Sequence, residues 1–335
     1  MGRGARLPCA GCLTTSDPAT PAAAGATDAR VVAVAVTYHP DVTDFARLLS
    51  ALSPQVAAVV VVDNGTPDPV PVELAALLGE DDVFVPLGVN RGIAAAQNVG
   101  IEHALRLGAT HVLLSDDDSL PAPDMVERLV AAIRSPEPPG RVAAVGPVTT
   151  DPRTGTAPLV FTDQRTGPRR IPALPTADGE QVDVAFLIAS GCLIDVAALR
   201  EVGSMNVDLF IDHVDLEWGV RARTAGWSLR VVTGAELTHS LGDGTRPVPW
   251  RSRAVHIQAP MRNYFMVRNT VWLIRGRLLP SAWRRGYSWW LTRYIGYYVL
   301  AVRPRWQRTR LMAAGLLDGL RGRLGPHQDP DQGTV

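Results

Sequence analysis

Three successive aspartates, Asp116–Asp118, follow the predicted strand His111–Leu114 after a single residue, Ser115. Adjacent carboxylates repel one another, so a cluster of this kind costs stability unless a cation compensates its charge. Mg²⁺ and Mn²⁺ favour carboxylate oxygens together with the phosphate oxygens of a substrate. The cluster therefore predicts a site for a divalent metal and a diphosphate. The alternative is a solvated acidic turn, in which Ser119 or Asp124 caps the following helix.

Two further polar pairs follow predicted strands. Thr37-Tyr38 ends the β-branched run Val31–Val36, and Asp63-Asn64 ends the run Val56–Val62. In an open α/β sheet, ligands bind beyond the carboxyl ends of the strands. Together with the aspartates, these pairs predict a nucleotide pocket at one sheet edge. The first strand is not followed by a G-x-G-x-x-G loop, which excludes a dinucleotide dehydrogenase of the usual type.

The elements around these residues alternate between strand and helix. Helices are predicted over Thr43–Leu52, Gly92–Leu107 and Pro123–Ile133, and further strands over Val83–Pro86 and Val142–Val148. This alternation predicts an α/β fold, with a mostly parallel sheet covered by helices on both faces.

The second half of the chain is less regular. Residues 149–181 are rich in Pro, Thr, Gly and Arg, and we expect a surface excursion that helps to shape an acceptor site. Apolar strand material follows over Val182–Asp195. We predict a helix over Asp212–Ala225, a strand over Trp227–Val232, and a loop over Leu237–Gly244 that contains His239.

Charge is unevenly distributed in a chain whose formal net charge is zero. Residues 246–323 contain 16 arginines and one acid, and six of the eight tryptophans lie between Trp250 and Trp306. Such a basic segment indicates contact with an anionic partner, either a phospholipid surface, a nucleic acid or a lipid diphosphate. No nucleic-acid-reading motif is present, so we expect no nucleic-acid role. Within this segment, Tyr287–Val302 suits an interfacial membrane helix, or a helix packed on the domain or in a homo-oligomer.

The remaining composition bounds the organisation of the chain. Residues 1–29 are predicted to be a disordered leader, 30–245 a catalytic domain, 246–323 a basic, aromatic helical extension, and 324–335 a disordered tail. Three cysteines, Cys9, Cys12 and Cys192, are too few for a disulfide framework. No apolar run reaches 18 residues. We therefore expect a cytoplasmic protein, in which the basic segment allows peripheral attachment to the inner face of the membrane.

Seven segments occur in the order and spacing of bacterial family-2 glycosyltransferases. They are VVAVAVTYHP, VVVVDNG, NRGIAAAQNVGIEHAL, HVLLSDDDS, FIDHVDLEWGVRARTAGW, LTHSLGD and PMRNYFMVRN. The chain resembles above all the O-antigen and cell-wall rhamnosyltransferases, roughly from Arg30 to Arg275. This resemblance implies a GT-A fold, a nucleotide-sugar donor (dTDP-rhamnose, or UDP-galactofuranose), a divalent metal (Mg²⁺ or Mn²⁺) and inversion at the anomeric carbon. The implied acceptor is a cell-envelope glycan or a polyprenyl-diphosphate-linked glycan.

The resemblance also implies roles for the residues at the sheet edge. Thr37 and Asp63 correspond to nucleoside contacts, and Asn90 and Arg91 close around the ribose and diphosphate. Asp116 and Asp118 match the two acids of the family's D-x-D motif, with Asp117 beside the substrate and Asp118 a direct metal ligand. His239 occupies the position of the family's late histidine and would complete the metal coordination.

The catalytic base is expected in the stretch Asp212-His213-Val214-Asp215. Inverting transfer needs a carboxylate that takes the proton of the acceptor hydroxyl. Relatives have a second acid where His213 stands, so Asp212 is the preferred base, with Asp215 in support and His213 as the alternative. Asp212 could instead only cap the following helix. Further along the chain, Arg262 and Arg268 match a family segment and are expected to hold donor or acceptor phosphates.

Two other functions compete with glycosyl transfer. A sugar nucleotidyltransferase also uses metal-bound carboxylates, but it would show a glycine-rich basic loop after the first strand, and none is present. A glycan-binding homologue without activity would not need the acids and His239 together.

Overall fold

The computed structural model of the chain describes Met1 and residues 29–151, 160–239 (except 166 and 172) and 257–327 in full. It also describes the backbone of two short strand pairs, 245–246 with 255–256 and 328–329 with 333–334. Nearly all of the leader sequence, with Cys9 and Cys12, lies outside the described residues. The same holds for residues 240–244 of the predicted loop and for parts of the predicted tail.

One nine-stranded sheet forms the centre of the structure, in the order β3-β2-β1-β4-β10-β6-β11-β5, with β9 paired to β11. Up to residue 239 the strands are β1 (Val31–Thr37), β2 (Ala58–Asp63), β3 (Val83–Pro86), β4 (His111–Asp116), β5 (Ser119–Pro121), β6 (Arg141–Thr150), β7 (Phe161–Gln164), β8 (Gly167–Arg170), β9 (Gln181–Asp183), β10 (Cys192–Asp195) and β11 (Trp227–His239). Strands β1, β2, β3, β4, β6 and β11 run in one direction, whereas β10, β5 and β9 are antiparallel to their neighbours. The mostly parallel sheet predicted from the sequence is confirmed.

The register of the parallel strands sets the position of their polar ends. Thr37 at the end of β1 pairs with Asp63 at the end of β2. On the other side of β1, Val36 pairs with Asp116 of β4. The carboxyl ends of these strands therefore lie side by side, as the sequence predicted.

Helices cover both faces of the sheet. They are α1 (Val42–Leu52), α2 (Val70–Ala75), α3 (Ile93–Arg106), α4 (Met125–Arg134), α5 (Val196–Val202), α6 (Val214–Thr224), α7 (Pro260–Arg275), α8 (Ser281–Ala301) and α9 (Arg305–Arg321). Alternate residues of β1 point to opposite faces. Val32 and Val34 pack in the core beneath α3, α5 and α6, whereas Ala33 and Ala35 pack beneath α1, α2 and α4.

Among the boundaries that differ from the sequence prediction, two concern candidate site residues. His239 does not lie in a loop, because β11 continues past an irregularity between Val232 and Glu236 and pairs again with β6 and β5. Helix α6 begins at Val214 rather than Asp212, because Asp212 and His213 both have a φ of 65°. This left-handed conformation is incompatible with a right-handed helix. Asp212 and Asp215 therefore do not share a helical face.

The three C-terminal helices form a unit in which α8 and α9 pack against α7. Helices α7 and α9 come close together at two glycines of α9. A Cβ atom at Gly315 would lie 2.4 Å from the carbonyl oxygen of Tyr264, and one at Gly319 would lie 2.7 Å from that of Arg268. Any side chain at these positions would push the helices apart. The glycines thereby allow α9 to pack closely against α7.

Helix α8 packs on the protein through one face. Trp283, Leu291 and Tyr298 are buried, while Trp289 and Leu300 remain exposed. The sequence left open whether this helix packs on the domain or lies in a membrane interface. The structure shows that its face with Trp283, Leu291 and Tyr298 packs on the protein. Within the described part of the chain, no helix combines the length and the hydropathy that a bilayer-spanning segment needs.

Candidate active site

The nucleoside end of the predicted pocket lies between β1 and β2. The Thr37 hydroxyl donates to Asp63 Oδ1 over 3.1 Å, and both side chains are buried. The other oxygen of Asp63 accepts from the main-chain nitrogens of Gly65 and Thr66 at 3.2 and 3.0 Å. These bonds fix the carboxylate of Asp63 at the mouth of the sheet. Its contact with a nucleoside stays a prediction.

Asn64, which belongs to the polar pair predicted at the end of the second strand without a role of its own, organises the next turn. Its amide nitrogen donates to Asn90 Oδ1 over 3.0 Å, and its oxygen accepts from the main-chain nitrogen of Arg91 over 2.9 Å. Asn90 Oδ1 also accepts from the Gly92 nitrogen, just before α3 begins. The side chain of Arg91 is exposed. The structure thus brings Asn90 and Arg91 next to Asp63. The Asp63-Asn64-Gly65 turn pattern was the only sequence indication of this role for Asn64.

The acidic cluster meets His239 at the other end of the pocket. His239, from the end of β11, has its Nδ1 2.9 Å from Asp118 Oδ1 and its Nε2 3.8 Å from Asp116 Oδ2. Ser190, from the loop before β10, donates to Asp116 and lies 3.3 Å from His239 Nε2. The sequence did not identify Ser190, because its loop position shows only in three dimensions. Asp116, Asp118 and His239 therefore come together from distant parts of the chain.

Charge repulsion within this cluster is visible in its pKa values. Burial, followed by the charges of Asp118 and Asp116, raises the pKa of Asp117 to about 7. Asp117 also accepts a main-chain hydrogen bond from Tyr38, at the end of β1. Burial lowers the pKa of His239, but the hydrogen bond to Asp118 and the charges of Asp116 and Asp118 outweigh it and raise the pKa overall. The cluster thus favours positive charge at its centre.

The carboxylates of the cluster fit Mg²⁺ or Mn²⁺, which favour oxygen ligands, and His239 would add one imidazole nitrogen to them. In the part of the chain that the structure describes, no three metal-binding side chains surround a common point. The reason is local, since His239 Nδ1 is directed at Asp118 and Ser119. An ion would have to replace the proton that His239 shares with Asp118.

The candidate base lies on a strained loop between a short 3₁₀ turn, Val207–Leu209, and α6. Phe210, Asp212 and His213 all have positive φ angles, a conformation that costs non-glycine residues of order 1–3 kcal/mol each. Strain of this kind often marks functional positions. The carboxylate of Asp212 is largely buried and forms an ion pair with Arg262 of α7. Asp212 also does not cap α6, since the residue at the N-cap position is His213.

His213 and Asp215 have pKa values shifted in opposite directions. Burial lowers the pKa of His213 to about 4, against the charge of Asp212, and its Nε2 lies 2.8 Å from the Thr270 hydroxyl. Burial also raises the pKa of Asp215 to about 6, assisted by the charges of Asp212 and Asp116. At neutral pH this leaves His213 uncharged and Asp215 close to its titration point.

Arg268 does not lie at the site, which corrects the sequence-based expectation. Its guanidinium is fully buried in α7. It donates to the main-chain oxygens of Asp208 (3.2 Å), Leu209 (2.9 Å) and Gly325, and to the side chain of Asn269. A guanidinium engaged in this way supports the loop from beneath and is not accessible to a phosphate. Arg262, by contrast, is partly exposed beside Asp212.

The fold and the site define a glycosyltransferase of the GT-A class. Residues 34–203 match the sequence model of the family described as Glycosyl transferase family 2, and the chain belongs to this family. The family expectation from the sequence is thereby confirmed.

Three curated proteins are similar in sequence to this chain over most of its length. A dTDP-rhamnosyl transferase of Shigella flexneri is 29% identical over 254 residues, which cover 76% of this chain and 82% of the relative. A galactofuranosyltransferase of Mycobacterium tuberculosis is 30% identical over 307 residues, covering 85% and 95%. An N-acetylglucosaminyl-diphospho-decaprenol L-rhamnosyltransferase of the same organism is 25% identical over 326 residues, covering 85% and 97%. Rhamnosyltransferases are thus among the relatives.

Solved structures agree with the fold. The structure of S. aureus TarS in complex with UDP-GlcNAc has a TM-score of 0.55 at 15% identity, covering 88% of this chain and 81% of the TarS fragment. GalNAc-T7 with UDP, GalNAc and Mn²⁺ has a TM-score of 0.53 at 14% identity, covering 82% of this chain and only 58% of GalNAc-T7. These similarities establish the GT-A fold and nothing finer.

Proposed function

We propose that the protein is an inverting, metal-dependent glycosyltransferase that transfers rhamnose from dTDP-rhamnose to a hydroxyl of a lipid-linked cell-envelope glycan. The convergence of Asp116, Asp118 and His239 at the sheet edge beside Asp63 carries this proposal. A nucleotide at Asp63 would direct its diphosphate toward the acidic cluster. The two rhamnosyltransferases among the relatives support the choice of donor.

In this account, the chain binds the donor through residues of five segments. Thr37 and Asp63 hold the nucleoside, and Asn90 and Arg91 close over the ribose and the diphosphate. Asp117 contributes to the same surface, since it already accepts a hydrogen bond from the Tyr38 main chain at the end of β1. Arg262 lies on the opposite side, where it offers positive charge to a donor or acceptor phosphate once it leaves Asp212.

Asp116, Asp118 and His239 would hold Mg²⁺ or Mn²⁺. When bound, such an ion supplies positive charge to the departing diphosphate. Ser190 fixes Asp116 by donating to its carboxylate.

Asp212 serves as the base. The acceptor hydroxyl attacks the anomeric carbon from the side opposite the diphosphate, so that a new carbon–oxygen bond forms while the bond to the diphosphate oxygen breaks. The hydroxyl proton passes to the Asp212 carboxylate, and the configuration at the anomeric carbon inverts. Asp215 supports this step from the first turn of α6. His213, with its pKa near 4, is a weak proton acceptor at neutral pH.

A second donor is UDP-galactofuranose. The mycobacterial galactofuranosyltransferase is 30% identical over 307 residues, compared with 29% over 254 residues for the dTDP-rhamnosyl transferase of Shigella flexneri. The same acids, His239 and Asp212 would act on this donor without change.

We further propose peripheral attachment at the inner face of the membrane, where a lipid-linked acceptor is found. Support comes from exposed residues at the turn between α8 and α9, where Leu300 and Trp306 lie beside Arg303 and Arg305. Each basic residue near an anionic leaflet contributes about 1 kcal/mol of binding.

A panel of nucleotide sugars tests the donor assignment. The purified chain is incubated with dTDP-rhamnose, UDP-galactofuranose and UDP-GlcNAc, with Mg²⁺, with Mn²⁺ or with EDTA, and release of the nucleoside diphosphate is measured. We expect release of the nucleoside diphosphate from dTDP-rhamnose only when Mg²⁺ or Mn²⁺ is present. Release from UDP-galactofuranose instead would select the second donor, and equal release in EDTA would overturn the metal assignment.

A further inference from the structure

A cavity of about 640 Å³ lies between α8, the β7–β8 hairpin and the start of α6. Five of its lining side chains are aromatic: Phe161, Phe186, Tyr287, Trp289 and Trp290. His213 and Asp215 also line it, so the cavity reaches the stretch that contains the proposed base. Its volume falls within the range of small-molecule binding sites.

Contacts around the cavity hold its walls in place. Asp163 of the hairpin accepts from Trp283 Nε1 of α8 over 3.0 Å and pairs with Arg223 of α6. Phe161 and Phe186 stack with their ring centroids 5.2 Å apart. The hairpin, α8 and α6 are therefore tied together by contacts among their own side chains.

His213 connects the aromatic wall to the catalytic stretch. Its ring centroid lies 6.1 Å from that of Tyr287 and 6.4 Å from that of Trp290. Trp289, which directly precedes Trp290 in α8, is 66% exposed. The cavity therefore extends from the partly buried catalytic stretch to a tryptophan that faces solvent.

Two arginines, Arg169 of β8 and Arg285 of α8, are the cationic residues of the lining, and both side chains are exposed. A predominantly apolar, aromatic cavity with cationic groups suits a ligand that is apolar over most of its length and anionic at one end. A free glycan fits less well, because its many hydroxyl groups need polar partners, and buried polar groups without a hydrogen bond are costly.

We propose that this cavity binds the isoprenoid diphosphate part of the acceptor, an inference that rests on the proposed transfer to a lipid-linked glycan. The aromatic rings surround the first isoprene units, and Arg169 and Arg285 hold the diphosphate. The sugar attached to that diphosphate then lies toward His213 and Asp215, beside Asp212. The chain outside the cavity leaves past Trp289 toward the lipid.

Calorimetric titration of the full-length chain with farnesyl diphosphate tests the proposal, with farnesol and inorganic pyrophosphate as separate arms. We expect farnesyl diphosphate to bind more tightly than either part alone. Trp289→Ala should weaken its binding about fivefold and leave pyrophosphate unchanged, because the variant loses the aromatic contact with the isoprenoid chain. Arg285→Ala should weaken farnesyl diphosphate and leave farnesol unchanged. Leu77→Ala is the control, because Leu77 is an exposed apolar residue outside both the cavity lining and the turn between α8 and α9.

The outcomes separate this proposal from the proposed function, because nucleoside diphosphate release from the donor needs no acceptor lipid. Donor turnover without farnesyl diphosphate binding, or with equal binding by wild type and Trp289→Ala, would overturn the cavity assignment alone. Competition by a free disaccharide as effective as that by farnesyl diphosphate would also overturn it, in favour of a sugar subsite. Binding of farnesyl diphosphate without any donor turnover would sustain the cavity assignment and contradict the transferase.

Discussion

The side-chain amide of Asn269 donates a hydrogen bond to the main-chain oxygen of Asp212 over 2.9 Å. The same nitrogen lies 3.0 Å from the oxygen of Leu209 and 2.8 Å from that of Ile211. One buried side chain of α7 thus binds three carbonyl groups of the loop that carries the proposed base. The left-handed conformation of Asp212 persists because the surroundings over-determine it. Asn269 of α7 therefore positions the loop of the proposed base through its hydrogen bonds.

Asn269→Ala should lower kcat at least about tenfold while leaving the KM for the donor unchanged. The loop loses its shared donor, and each buried carbonyl left without a partner costs about 1–3 kcal/mol. Steady-state kinetics together with thermal unfolding check this. Asn263→Ala is the control, because Asn263 is equally buried in α7 but bonds to Tyr294 and Arg308. A similar loss of kcat in both variants would show that general destabilisation, not loop geometry, is responsible.

Asp212→Asn should reduce transfer roughly 10²- to 10⁴-fold, the usual contribution of a general base. Donor affinity should stay the same, since Asp212 lies apart from the nucleoside end of the pocket. Calorimetric binding of the nucleoside diphosphate and transfer kinetics measure the two effects separately. An active Asp212→Asn beside an inactive Asp215→Asn or His213→Ala would reassign the base.

Asp118→Asn should abolish metal-dependent turnover and leave the fold intact, because the Asp118 side chain is 41% exposed. Loss of several kcal/mol of transition-state stabilisation lowers the rate by more than about a hundredfold. Glu102→Gln, at an exposed ion pair with Arg106 in the last turns of α3, is the control. Full activity of Asp118→Asn over a Mn²⁺ titration would remove Asp118 from the metal site.

Stability should depend on pH through Asp215. Its pKa is raised in the folded state from 3.8 to about 6, so its contribution to stability is fully present below pH 3.8 and is lost as the pH rises through 6. Between pH 5 and pH 8 this amounts to about 1 kcal/mol. In urea unfolding, Asp215→Asn should lack this change, so the variant gains stability relative to wild type at pH 8. An identical pH dependence of both proteins would contradict the shift.

Membrane attachment should depend on the exposed turn between α8 and α9. Replacing Arg303 and Arg305 with Glu should abolish co-sedimentation with anionic vesicles, and high salt should do the same to the wild type. These substitutions are better than deletion of residues 280–323, because Leu311 and Met312 of α9 are buried. Replacing Arg47 and Arg106, exposed residues of the catalytic domain, with Glu gives a control of equal charge change. Vesicle binding that survives the first pair of substitutions would contradict the attachment.

The sequence was sufficient to predict the parallel strands β1–β4 and the polar residues at their carboxyl ends. Buried parallel strands such as β1 are nearly continuous β-branched runs, which makes both the strand and its last residue visible in one dimension. The short third strand, Val83–Pro86, has the same bounds in prediction and structure. Thr37, Asp63 and Asp116 come together because register alone, given parallel pairing, places strand ends side by side.

What the sequence missed depends on contacts between distant segments. Arg268 looks like an anion-binding residue in one dimension, and only its hydrogen bonds to the loop 208–209 and to residue 325 show that it is structural. The left-handed Asp212 and His213 also have no local sequence signature, because α7 imposes their conformation. Ser190 and Asn64 act through partners 74 and 26 positions away.

The most direct test of the account is sugar transfer to a short-chain acceptor, N-acetylglucosaminyl diphosphofarnesol, followed by mass spectrometry. With dTDP-rhamnose and Mg²⁺ or Mn²⁺, we predict that the acceptor gains one deoxyhexose. We also predict no gain in EDTA or with Asp212→Asn. An acceptor that stays unmodified with every nucleotide sugar and metal, under conditions in which the protein is folded, would contradict the assignment as a glycosyltransferase acting on lipid-linked glycans.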